Sequence, residues 1–82
     1  MSIEVGDYIE RNEGGKITRG VVTSNDRDGL WIMSTSGWNF HIPGSRIRVL
    51  SEKNDGATYA DVKKRSDRHL KRFLKGQERL NK

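Results

Sequence analysis

The chain contains no cysteine, which removes disulfides, thiolate metal ligands and a cysteine nucleophile together. That absence fits a reducing cytoplasm, the expected location. No apolar run approaches the ~18–20 residues that a membrane span requires. The opening Met1-Ser2-Ile3-Glu4-Val5-Gly6-Asp7 carries neither a basic nor an apolar leader region. The reading is of a soluble, intracellular protein with no membrane partner. Catalytic signatures are missing as well. There is no Gly-x-Ser-x-Gly elbow. The one Gly-Lys step, Gly15-Lys16, is followed by Ile17 and has Glu10 where a phosphate-binding loop needs glycine. His41 and His69 fall in different elements without metal-ligand spacing and read as structural or solvated side chains. Asp26/Asp28 and Asp7/Glu10 are the only paired carboxylates worth weighing, and acids in turns serve turn geometry and solubility. No enzyme, no metal site and no cofactor is expected.

What the chain does contain is polar but patterned. Eighty-two residues, 32% apolar and 33% charged, allow one small domain whose core supplies no more than ~3–5 kcal/mol of net stability. Residues 3–50 read as five short strands separated by turns. Val5 to Arg11 alternates, and Asn12-Glu13-Gly14-Gly15 is a turn in which glycine takes positive φ without steric cost. Lys16 to Ser24 carries Ile17, Val21 and Val22, and ends at the turn Asn25 to Gly29. Leu30 to Thr35 is a third strand, closed by a tight Ser36-Gly37 turn. Trp38 to Ile42 places Trp38, Phe40 and Ile42 on one face, so these three are assigned to the core. Pro43-Gly44-Ser45 breaks the ladder, because proline cannot donate to it. Arg46 to Leu50 resumes it, with Ile47 and Val49 on one face.

Val5-Gly6-Asp7-Tyr8-Ile9, then Gly20-Val21-Val22, Gly37 to Pro43 and Ile47-Arg48-Val49-Leu50 resemble an SH3-like small β-barrel of the KOW/Tudor type. The resemblance covers the first fifty residues and implies a five-stranded barrel. The expected fold class is therefore mainly β with a C-terminal helix: barrel 1–52, connector 53–57 and basic helix 58–82, packed as one unit. Thr58 is the expected N-cap, with Asp61 at the third helical position in a variant of the capping box.

The helix is where charge concentrates. Residues 58–82 hold nine basic and three acidic residues, a net charge of +6, whereas residues 1–57 hold seven basic and eight acidic, a net −1. At about 100° per residue, Tyr59, Val62, Ser66, His69, Leu70, Phe73 and Leu80 fall on one arc, and the nine basic residues are expected on the opposed one. Like charges recur at i,i+3 and i,i+4, as in Lys64–Arg68, Arg68–Arg72 and Lys71–Lys75. Helices adapted only for solubility intersperse Glu at these spacings instead. Repulsion of this kind is relieved by an anion, and phosphate is the commonest cellular polyanion. Gly76 weakens the last turn by ~1 kcal/mol relative to Ala.

Two uses are open for the exposed aromatics. Trp31 and Met33 alternate with Leu30 and Ile32, so one pair must face outward. An outward Trp31 either meets the apolar side of the helix, the use favoured here, or forms a ligand platform; Tyr8 is the second candidate surface aromatic. Arg19, Arg27, Arg46 and Arg48 are weaker candidates to extend the positive surface. The expectation is a small non-enzymatic nucleic-acid-binding protein whose phosphate contacts come from Lys64, Arg65, Arg68, Lys71, Arg72, Lys75 and Arg79. The alternative is a protein-interaction module, an adaptor or an inhibitor of a larger enzyme, that meets an acidic protein surface. A membrane surface is disfavoured, because Ser66, His69 and Gln77 thin the apolar stripe.

Overall fold

A computed structural model of the chain describes residues 3–43 and 46–80, with side chains described as far as Gly76. Five antiparallel strands, β1 (Tyr8–Glu13), β2 (Lys16–Asp26), β3 (Gly29–Ser34), β4 (Asn39–Ile42) and β5 (Ile47–Val49), precede one helix, α1 (Glu52–Leu80). The strands form one sheet in the order β4-β3-β2-β1-β5. The fold is α+β, as expected. The β1–β2 hairpin turns on Gly14 and Gly15, at φ 58° and 90°, between the paired residues Glu13 and Lys16. Two successive positive-φ residues match the right-handed strand twist, which is why this turn is glycine.

The sheet has two apolar faces, and Val21 and Val22 show how. They are adjacent, so they point to opposite sides, and both are buried. Val22 pairs with Ile32, and Ile32 with Phe40. On that side Ile9, Val22, Leu30, Ile32 and Ile42 make the core, joined by Ile3, Phe40 and Ile47. Ile47 and Ile42 lie on opposite edge strands yet share this cluster, so the sheet curls around it in a barrel-like way. On the other side, the cross-strand row Tyr8–Val21–Met33 lies under α1, which packs across β1, β2 and β3. Val62 and Ser66 are the helix residues buried there. Ser66 is small enough to let the helix approach the sheet, and its hydroxyl donates back to the Val62 carbonyl.

Three expectations are corrected. Trp38 is not in the core: it lies just before β4, and 72% of its surface is exposed. Its side chain emerges beside the Gly37 turn, where the curled sheet has run out of strands to cover it. The connector is shorter than expected, and Thr58 does not cap the first helical turn. Ser51 does, its Oγ accepting the Asn54 N–H at 3.1 Å while the Asp55 carboxylate accepts the Ser51 N–H at 2.8 Å, a reciprocal cap of the kind that satisfies orphan N–H groups. At Gly56, where φ 44° and ψ −114° are not helical, the backbone helix is interrupted, so α1 is one capped turn over 52–55 followed by the long helical segment that resumes beyond Gly56.

Candidate functional site

The stripe is built outward from that buried seam. Taking Arg68 as reference at 100° per residue, Lys64, Arg65, Lys71, Arg72 and Lys75 all lie within about 60° of it. The seam residues Val62, Ser66, Leu70 and Phe73 lie between about 120° and 200° away. All six cations of the stripe are exposed. Among the described residues only Arg65 has an ion-pair partner, Asp61, at 3.2 Å one turn earlier. Lys64, Arg68, Lys71, Arg72 and Lys75 have none among the described residues. Lys63 leaves the expected arc: about 140° from Arg68, it lines a groove with Gly56, Ala57, Tyr59, Ala60, Lys64 and Asp67. The side chain of Arg79 lies outside the described residues, as do those of Gln77 and Leu80.

The helix is held at several points. The Tyr8 phenol donates to both carboxylate oxygens of Asp67, at 2.8 and 2.9 Å, and the Tyr8 ring meets Tyr59 edge-on at 5.5 Å. Burial, followed by the bond to Asp67, pushes the Tyr8 hydroxyl up to about 12. Tyr8 is therefore a half-buried anchor rather than a platform. Further along, His69 packs against the Gly37 turn; a Cβ at Gly37 would stand 3.1 Å from its Nδ1.

The sheet's arginines, the weaker candidates, do not enlarge the stripe. Glu10 accepts from Arg19 Nε at 2.7 Å and pairs with Arg48 at 3.3 Å, and Arg48 reaches Asp55 at 2.6 Å. The hydrogen bond from Arg19, with that from Arg48, holds the Glu10 carboxyl below the usual carboxylate range. Asp55 is lowered by Arg48 first and by the Ser51 N–H second. Arg19 and Arg48 are thus spent on internal acids, and Arg48 ties β5 and β1 to the first turn of α1. Arg27 and Arg46 are exposed but sit in turns apart from the helix.

Trp31 meets the apolar side of the helix, the use favoured for it. It lies on the helix side of the sheet and shares a groove with Leu70, Phe73 and Leu74, yet 40% of its surface stays exposed. His41, its cross-strand neighbour, places its ring 5.3 Å away at a tilt of 51°, and also stands 3.4 Å from Asp26. Among the described residues no three His, Asp or Glu side chains gather as a metal site, and no helix is long and apolar enough to cross a membrane. A cavity of about 460 Å³ is lined by Arg11, Thr18, Ser34 and Phe40 among others, and the buried Arg11 Nε has no hydrogen-bond partner among the described residues. No protein-family model, curated protein or solved structure matches the chain.

Proposed function

We propose that this is a small, non-enzymatic, cytoplasmic nucleic-acid-binding protein that contacts the phosphate backbone through the exposed stripe of α1. The observation that carries the reading is the unpaired state of Lys64, Arg68, Lys71, Arg72 and Lys75 among the described residues, on a helix whose opposite side is fixed to the sheet. Elsewhere in the molecule, Arg19 and Arg48 are matched with acids; here cations accumulate on one side. A fixed stripe loses little side-chain and backbone freedom beyond that of the cations themselves when a polyanion docks, and each neutralised phosphate releases counterions. Phosphate contacts position a protein without reading bases, so the stripe alone confers little sequence preference. The curled five-stranded sheet supports the reading of its scaffold as an SH3-like barrel of the KOW/Tudor type.

Fluorescence anisotropy with labelled DNA and RNA oligonucleotides at low salt tests the proposal. The wild type is expected to bind, and Arg68→Glu with Arg72→Glu to weaken binding by tenfold or more with an unchanged thermal melt. Absence of binding to either nucleic acid at low salt, combined with capture by poly-glutamate, would point instead to an acidic protein surface.

A further inference from the structure

Resting on that reading, we infer that the nucleic acid is single-stranded and that an unpaired base stacks on Trp31 in the groove between α1 and the sheet. The groove has a volume of about 630 Å³, within the ~300–1,000 Å³ of small-molecule sites. Its apolar walls are open to solvent: Val5 is 64% exposed and Leu74 50%. The rim explains what such a surface is for. On α1, Leu74 lies about 40° from Leu70 on the groove side and about 60° from Lys71 on the stripe side. An apolar wall therefore passes directly into the cationic stripe. Val5 and Gly6, which line the groove away from α1, are flanked in sequence by Glu4 and Asp7, and Asp7 Oδ2 accepts the Glu4 N–H. This charge asymmetry sends a phosphate chain along α1 and turns its bases toward the sheet.

The groove's lining suits a base rather than an aliphatic guest. Trp31 supplies a π-face that stacks any base, and its sheet position fixes the ring at little entropic cost. Thr23, Ser24 and Asn39 bring hydroxyl and amide groups to the same groove. The Thr23 hydroxyl is already engaged with the Trp31 carbonyl at 3.1 Å and with Asn39 Oδ1 at 3.5 Å, which leaves Ser24 and the amide N–H groups of Asn39 to meet a base edge. A duplex buries its base faces in the stack and would engage the stripe alone, so the groove discriminates between single and double strands.

The test is a comparison of a single strand with its own duplex. A Trp38→Phe background keeps a ring at position 38 and leaves Trp31 as the sole tryptophan reporter. The expected result is that single-stranded oligonucleotide quenches Trp31 fluorescence and duplex does not. Trp31→Leu, which keeps an apolar side chain on β3, is expected to lose about 5- to 100-fold in single-strand affinity, with duplex affinity and the salt slope unchanged. Equal single-strand binding by Trp31→Leu, with duplex binding still abolished by charge reversal at Arg68 and Arg72, overturns the groove but leaves the stripe standing. Binding to neither nucleic acid overturns both. A fluorescence response to an acidic peptide, with none to oligonucleotide, assigns the groove to a protein and overturns it too.

Discussion

The Tyr8 hydroxyl and the Asp67 carboxylate, 59 residues apart in sequence, are joined by two short contacts of 2.8 and 2.9 Å. This pair fixes the rotation of α1 about its own axis. Val62 and Ser66 set how closely the helix approaches, but apolar burial is non-directional and tolerates rotation. A hydrogen bond to a half-buried carboxylate does not. The bond therefore determines where Arg68 and its neighbours point.

Removing the hydroxyl tests that role. Tyr8→Phe leaves Asp67 without its partner and is expected to cost about 1–2 kcal/mol in urea unfolding. A cycle with Asp67→Asn should show coupling of at least about 0.5 kcal/mol. Additive effects would mean that the two side chains do not act as a unit.

The same hydroxyl predicts an alkaline limb. Its folded pKa, about 12, lies above the ordinary 10.0. The unfolded state therefore loses this proton first, and its contribution is present below pH 10 and lost as pH rises from 10 toward 12. Stability measured across that window should fall in the wild type and fall less in Tyr8→Phe. Identical slopes in the two proteins would remove Tyr8 as the cause.

Acid acts through different groups. Glu10 and Asp55 have folded pKa values below their ordinary 4.5 and 3.8. Their contributions are thus present above those values and lost as pH falls through the depressed folded ones. Glu10→Gln and Asp55→Asn should each flatten the acid limb of a stability profile, and together should flatten it further. Because Asp55 also caps α1 through the Ser51 N–H, its variant should in addition lower helical circular dichroism at neutral pH.

Two glycines in α1 should respond with opposite signs to the same substitution. Gly56 sits at φ 44°, where a Cβ is strained even though no atom lies within 4 Å of it. Gly56→Ala is expected to destabilise by about 1–3 kcal/mol. Gly76 has helical geometry and equally open surroundings, so Gly76→Ala should stabilise by up to about 1 kcal/mol. Thermal melts of the two variants give the comparison, and shifts of the same sign would refute the kink.

Much of this architecture was legible in the residues. The alternation of Tyr8 to Arg11, the Gly14-Gly15 turn and the Val21-Val22 step all encode strands locally, although β1 begins three residues later than the expected Val5 and runs on through Asn12 and Glu13, and the periodic Val62, Ser66, Leu70 and Phe73 encode the buried side of α1. The errors fall where local pattern and tertiary placement separate. Trp38 continues the alternation of Phe40 and Ile42, but the sheet has no neighbour to cover it, and periodicity carries no information about where a sheet ends. The Ser51 cap was hidden because its acid stands at i+4, and because the single turn it caps is cut off from the long helical segment by the non-helical Gly56. Among the site residues, the spacing of the six described cations set their common face. The neutralisation of Arg19 and Arg48 by Glu10 and Asp55 arises from strand pairing and the folding back of α1, which no local pattern displays.

The central claim is that the α1 stripe acts as a set of phosphate contacts, and the dependence of affinity on salt measures it most directly. Plotted as log K against log salt, binding should fall linearly, with a slope of about −0.7 per contact for single strands or −0.9 for duplex. Neutralising Lys71 and Arg72 to Gln should make the slope shallower by about two such increments, with the fold intact. A slope near zero in the wild type, or one unchanged in the double variant, would contradict the account.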